Sequence, residues 1–271
     1  MLIYVFILTA VLVSSPAAKQ MGVTIDDLPF LYGRYLTDSA GAECFRDILD
    51  VLKKYNVRVI GFVVGSQLHA SREPLLDQFV ADGHLVGNHT YTHPDLNNTL
   101  IEWYKNDIIK CEAGISKWVG RTKYFRYPCL HQGPTEIKYT AIADFLKADS
   151  FVNVPVTIDN DDWLYNREFT KALKERDQIT ADSIGQSYLE HMQAMTHYYD
   201  SIAVAKLGRD IKHILLIHMS EINAIYLDSL LNRYKAGGWE FITPEEALTD
   251  SLYRIKDTYI GEKGTSWLLR F

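Results

Sequence analysis

RVIGFVVGSQLHASREPLLDQFVADGHLVGNHT, Arg58 to Thr90, reads as strand, helix, strand. Its first eight residues are a short apolar run rich in β-branched side chains, the composition of a buried strand. Pro74 to His84 carries an apolar helical stripe with proline in its first turn, where the missing N–H costs nothing. Leu85 to Thr90 is again a short strand. Two buried strands joined through a helix form a parallel unit.

The same alternation continues in both directions. Upstream, Gly22–Pro29 reads as a strand ending in a turn, and Glu43–Val57 as a helix with Phe45, Ile48, Leu49 and Leu52 on one stripe. Downstream, helices at 99–120, 135–150 and 222–238 alternate with strands at 123–128, 151–159, 213–220 and 239–243, before a last helix beginning near Pro244. The helix at 222–238 ends in glycine, a common helix stop. Seven strands alternating with helices define an α/β fold with a parallel sheet. The pattern alone suits an open doubly wound sheet or a closed barrel equally.

Composition narrows the function classes. A chain of 271 residues with 47% hydrophobic content can bury one large core. Net charge is −6 with no basic run, which excludes nucleic acid as the main partner. No apolar run after residue 20 is long enough to span a membrane. Leu2–Val13 is uncharged and apolar, and small residues follow at Ser14–Ala18, so residues 1–18 read as a signal peptide and the protein as exported to the periplasm, envelope or medium. The start lacks the usual Lys or Arg. Cys44, Cys111 and Cys129 show no disulfide framework, and without a CxxC pair a thiolate zinc site is excluded.

Polar residues recur where strands run out: Asp26 and Asp27, His89 and His93, Arg126, Asp159 and Asp162, and His218. In parallel α/β folds ligands bind at those carboxyl ends. Taken singly, most have ordinary readings as turn formers or solvated groups. His218 stands apart, because a polar residue after the apolar run ILLI on a buried strand needs a partner or a purpose. His89 and His93 sit at metal-ligand spacing in HTYTH, a segment too rich in Thr and Pro for a helix.

TIDDLP, HTYTH, RYPC, DNDDW and LLIH, in that order, resemble the five motifs of the polysaccharide deacetylases, the NodB-like carbohydrate esterases, over Gly22 to Ala247. The resemblance implies a distorted barrel of (β/α)7 type, with residues 19–271 forming one catalytic domain. It implies that Asp27, His89 and His93 hold one divalent metal. Two imidazoles and a carboxylate suit zinc first, with cobalt, nickel or manganese as alternatives. Asp26 would be the general base, kept ionised by Arg126. His218 would be the general acid, held by Asp162. The backbone N–H of Cys129 would stabilise the oxyanion, and Trp163 and Leu216 would enclose the acetyl methyl.

For both aspartates to face one site, the strand has to break at Leu28-Pro29, since neighbours on a regular strand point to opposite faces. HTYTH must likewise fold back on itself. Two positions depart from the family pattern. Leu28 replaces a glycine, which is expected to alter the rim beside the base, and Cys129 replaces an aromatic, so sugar stacking has to come from elsewhere. Residues 165–210 form a helical insertion before the sixth strand, with a seam of Tyr188, Met192, Met195, Tyr199 and Ile202 at spacings of 4, 3, 4 and 3; His191 and His197 fall off it, on the solvent side.

The reading is a metal-dependent hydrolase that removes acetyl groups from an N-acetylated glycan. An O-acetyl esterase acting on xylan-type glycans, a weakly catalytic carbohydrate-binding barrel, and a hydrolase of another acyl bond are the alternatives.

Overall fold

The computed structural model describes residues 18–30 and 37–271; the signal-peptide reading therefore falls, Ala18 apart, outside the described residues. Seven parallel strands are present: β1 (Lys19–Leu28), β2 (Val59–Val63), β3 (Leu85–Asn88), β4 (Lys123–Phe125), β5 (Phe151–Asn153), β6 (Lys212–His218) and β7 (Trp239–Ile242). Their order is β5-β4-β3-β2-β1-β6. β1 is the axis of the fold. One of its edges pairs with β6 along Gln20–Asp26; the other is shared, with β7 taking Lys19–Gly22 and β2 taking over from Val23.

The sheet curls into a barrel. β5 is only three residues long because the chain turns at Pro155, which has no N–H for a ladder. The segment beyond it then bridges β6 at Ile158–Leu215, with Ile158 N–H donating to Ile214 O and Leu216 N–H to Ile158 O. The strand expected over 151–159 is thus two short pieces on either side of a proline, and the second piece closes the circle.

Helices α1 (Asp38–Lys54), α2 (Glu73–Ala81), α3 (Ile101–Ile115), α4 (Glu136–Ala148) and α7 (Glu221–Ala236) cover the outside, and α8 (Pro244–Ala247) follows β7. α1 buries Phe45, Ile48, Leu49 and Leu52, the stripe its periodicity predicts. Residues 165–210 fall on two helices, α5 (Asp162–Lys174) and α6 (Gln178–Leu207). α6 opens on an Asp177 cap and closes at Gly208, whose left-handed φ of 68° suits glycine. It lies against α5 and α7, so closely that a side chain at Gly185 would overlap the Tyr226 ring. Tyr188, Met192 and Tyr199 of the expected seam are buried, with Met195 and Ile202 half-buried beside them. His197 is exposed, but His191 is half-buried against the Tyr165 ring rather than solvated. Cys44, Cys111 and Cys129 are all free thiols.

The last residues dock rather than trail. Ser266 donates to Thr157 O, Trp267 is buried with its N–H on Val156 O, and Lys206 of α6 reaches Leu268 O and Phe271 O. Upstream of these contacts, Gly264 lines the cavity at the carboxyl ends of the strands, beside Cys129.

Candidate active site

Asp26 and Asp27 end β1. Register with β2 slips between Ile25 and Leu28, and Asp27 takes a left-handed φ of 68°, which swings its side chain to the same face as Asp26. The strand ends at Leu28, before Pro29, as expected, and its distortion is already present at Asp27. Leu28 is fully buried and packs over Gly61, so it fills core and does not alter the rim.

HTYTH folds back as its composition requires. Thr90 and His93 both have left-handed φ, 66° and 57°. Thr90 N–H donates to Asn88 Oδ1 (2.8 Å), and His93 N–H to Thr90 Oγ1 (3.1 Å). Asp107 on α3 holds the loop by accepting from Tyr91 N–H (2.9 Å), Thr92 N–H (2.8 Å) and the Thr92 hydroxyl (3.1 Å). Non-glycine residues in this region cost energy and cluster at functional sites; Asp27, Thr90, His93 and Cys129 all do so here.

Asp27, His89 and His93 each present a ligand atom within 4.8 Å of the others. His89 Nε2 is 3.7 Å and His93 Nε2 3.4 Å from Asp27 Oδ1, a buried carboxylate oxygen with no hydrogen-bond partner among the described residues. An orphaned buried anion is costly unless a cation completes it. His89 Nδ1 lies 2.8 Å from Arg126 O, so Nδ1 carries the proton and the lone pair of Nε2 faces the carboxylate, the arrangement of a metal-ligating histidine. Burial holds the His89 imidazole well below its usual pKa, in the neutral form a metal requires. The donor set fits one divalent cation.

Arg126 is fully buried and rigidly placed: Nε donates to Val154 O (2.9 Å), Nη2 to Thr24 Oγ1 (3.0 Å) and Nη1 to Asp26 Oδ1 (3.0 Å), with the guanidinium over the Phe62 ring. Burial pushes Asp26 up to about 6, and Arg126, followed by His218, opposes this only in part. Arg126 thus limits the rise but does not keep Asp26 at an ordinary carboxylate value. The remaining oxygen, Oδ2, faces the site 3.7 Å from His89 Nε2.

Across the cavity, His218 Nδ1 lies 2.6 Å from Asp162 Oδ1, and its backbone N–H donates to Asp162 Oδ2 (2.8 Å). Burial alone would lower the His218 pKa; the Asp162 carboxylate outweighs it and lifts the imidazole to about 10. Asn223 Nδ2 donates to Asp162 Oδ2 (2.9 Å) and to His218 O (2.8 Å), and its own carbonyl accepts from Tyr188 OH (2.5 Å). α6 therefore reaches the site through Tyr188.

Cys129 sits at φ 56°, and its backbone N–H donates to no described residue. It lines a cavity of about 400 Å³ together with Asp26, Asp27, both ligand histidines, Trp163, Leu216 and His218. Trp163 is half-exposed at the mouth and Leu216 buried at the wall. All eleven residues singled out from the sequence, Asp159 included, meet around this cavity, Arg126 and Asp162 from behind it. Those missed are Thr24, Asp107, Tyr188, Asn223 and Gly264. Each is a common residue type that acts through a distant partner, and only Asp107, an acid on the buried face of α3 with Tyr104, Ile108 and Cys111, carries a sequence signal.

The sequence profile of the polysaccharide deacetylases matches residues 14–145. A peptidoglycan-N-acetylglucosamine deacetylase from Bacillus cereus is 29% identical over 197 residues, covering 70% of this chain and 62% of that protein. The chitin deacetylase of Colletotrichum lindemuthianum superposes with a TM-score of 0.59 at 22% identity, covering 86% of this chain and 89% of that one. A CE4 family pseudoenzyme from Bacillus anthracis does so at 0.57 and 19%, covering 86% and 66%. Residues 14–145 thus carry a polysaccharide deacetylase domain. It spans 62% and 40% of the length of the first curated relatives it matches.

Proposed function

We propose that the protein is a metal-dependent deacetylase that hydrolyses the N-acetyl group of a β-linked N-acetylhexosamine glycan of the peptidoglycan or chitin type. The observation that carries this is the opposed pair around one cavity: a carboxylate poised near pH 6 on one side and a carboxylate-backed imidazolium on the other. A degenerate binding barrel would have no need of either. The names of the relatives support the substrate class.

Asp27, His89 and His93 would hold the cation, zinc first and cobalt, nickel or manganese as alternatives. When bound it supplies Lewis acidity, polarising the acetyl carbonyl and making water more acidic. Asp26 accepts the proton of the attacking water at Oδ2, while Arg126 and Thr24 hold the other side of the base in place. The Cys129 N–H donates to the developing oxyanion. Trp163 and Leu216 take the acetyl methyl. His218, with Nδ1 committed to Asp162, delivers its Nε2 proton to the departing nitrogen.

The persistence of that imidazolium, which stays charged across the neutral pH range, suits an N-acetyl substrate, because an amine leaves only once protonated. In this reading residues 19–271 form the catalytic domain, and residues 1–18 direct export to the compartment where such glycans lie.

Acetate release from N-acetylglucosamine oligomers, peptidoglycan and acetylated xylan tests the proposal. Release from the first two, abolished by chelator and restored by zinc, is expected. Release from xylan alone, or turnover indifferent to chelator, would overturn it.

A further inference from the structure

The catalytic acid is braced by residues that the reaction itself does not use. Asp162 lies in the first turn of α5, Tyr188 in α6 and Asn223 in the first turn of α7, and all three are fully buried. Asn166 Oδ1 accepts from Ile222 N–H (3.1 Å) and so clips α5 to α7 one residue from Asn223. The Tyr165 and Tyr188 rings pack with centroids 6.0 Å apart, joining α5 to α6 beside them. Three helices thus converge on the end of β6, where His218 sits.

The hydrogen bonds among these residues run in one direction. Tyr188 OH donates to Asn223 Oδ1 (2.5 Å), and Asn223 Nδ2 donates to Asp162 Oδ2 (2.9 Å) and to His218 O (2.8 Å). Asp162 Oδ2 also accepts the His218 backbone N–H, and Oδ1 takes the ring Nδ1. An amide is the uncharged side chain that accepts at one end and donates two N–H bonds at the other, which is what this position asks for. A phenol donating to its oxygen polarises the amide and strengthens both of its N–H donors, the more so where water is excluded. Burial pushes the Tyr188 phenol well above its usual pKa, so that proton is always there to give. Without it the Asn223 oxygen would be a buried acceptor with no partner, and the amide would turn toward other donors and away from Asp162.

We propose that Tyr188 and Asn223 are positioning residues for the catalytic acid: Tyr188 holds the Asn223 amide, and Asn223 holds the Asp162 carboxylate in line with the His218 ring. This rests on the deacetylase reading of the cavity. His218 Nε2 has to meet a nitrogen whose place is set from the opposite wall, by Asp26 and by the donor set of Asp27, His89 and His93. A ring that swings away loses that meeting even with its proton in place. The two sides of the cavity are then built alike: Arg126, itself bonded to Thr24, holds Asp26, and Asn223, itself bonded to Tyr188, holds Asp162. α6 contributes to turnover although it gives no residue to the cavity wall.

The test uses Tyr188→Phe, which removes only a hydroxyl and leaves the ring packed in its seam. For acetate release from N-acetylglucosamine oligomers, kcat should fall by roughly tenfold, the scale of one buried hydrogen bond, with KM and divalent-metal affinity unchanged. Asn223→Ala should cost at least as much. In Asp162→Asn protein the aligned carboxylate is already gone, so adding Tyr188→Phe should cost little more, whereas two independent losses would multiply. The proton NMR signal of His218 Nδ1–H, read on metal-free protein, needs no turnover. In the wild type it lies far downfield, as a short bond to a carboxylate places it, and in Tyr188→Phe it moves upfield or broadens. A wild type that releases no acetate would refute the deacetylase reading and leave this signal to decide the alignment. Unchanged kcat in Tyr188→Phe, losses that multiply in the double variant, or a wild-type Nδ1–H signal in Tyr188→Phe would each overturn the inference.

Discussion

Replacing Asp162 with asparagine removes the charge that sustains the His218 imidazolium while keeping nearly the same shape. In the wild type that carboxylate, against the pull of burial, holds His218 at about 10 instead of 6.5. At 1.36 kcal/mol per unit the difference is on the order of 5 kcal/mol. Its sign follows from proton counting: between pH 6.5 and 10 the folded protein holds one proton more than the unfolded chain. The pair's contribution is thus fully present below pH 6.5 and is lost as pH rises through 10. In Asp162→Asn only the weaker attraction of Asp27 and Asp26 is left to oppose burial, so the imidazole titrates well below its wild-type value and a smaller fraction is protonated at pH 7.5. The amide also presents a donor where Nδ1–H needs an acceptor. Acetate release at pH 7.5 should fall, by up to the roughly 10²–10⁴ that general acid catalysis supplies. The assay is an imidazole NMR titration of metal-free protein, whose His218 signal stays in the protonated position to beyond pH 9 in the wild type. A wild-type His218 titrating near 6.5, or an Asp162→Asn His218 still near 10, would refute the reasoning.

Other perturbations probe separate parts of the account. Asp107→Leu releases the backbone of HTYTH and should weaken divalent-metal affinity by about 10–100-fold, as loss of outer-shell support does elsewhere; calorimetry showing wild-type affinity would dismiss the role. Gly264→Ala would bring a Cβ to within 1.9 Å of Cys129 O, so the turn must shift; kcat should drop by about tenfold or more with metal affinity unchanged, and full activity would mean that the Cys129 turn tolerates displacement. His84 accepts from Val59 N–H through Nδ1 (3.3 Å), and burial holds it down to about 4. The unfolded chain therefore binds more protons between pH 6.5 and 4, and unfolding free energy should decline by up to about 3 kcal/mol across that window. Denaturant titrations of His84→Gln should show a shallower decline, and an identical slope would exclude His84 as its source.

Much of this site is legible in the sequence because parallel α/β folds place strand ends together. Asp26, His89, Arg126 and His218 each follow an apolar strand, so one topological rule delivers them to one rim. Turn chemistry was legible too, in the Thr and Pro content of HTYTH. What resisted reading depends on contacts between distant, ordinary residues. Tyr188 looks like one more member of an apolar seam, and only the crossing of α6 over α7 brings its hydroxyl to Asn223, 35 positions away. The tail's grip on the site rests on Gly264 meeting a carbonyl in a loop more than a hundred residues earlier. The ionisation of Asp26 departs from the sequence expectation for a different reason. Sequence shows the arginine partner but not the depth of burial, and burial wins.

The division of labour between two adjacent aspartates is the centre of the account, and zinc affinity measured side by side on their asparagine variants tests it most directly. Asp26→Asn should bind one equivalent nearly as tightly as the wild type, since Asp26 gives one oxygen to Arg126 and turns the other to the water, while Asp27→Asn should bind far more weakly. Loss of zinc by Asp26→Asn with retention by Asp27→Asn would contradict the account and exchange the two roles.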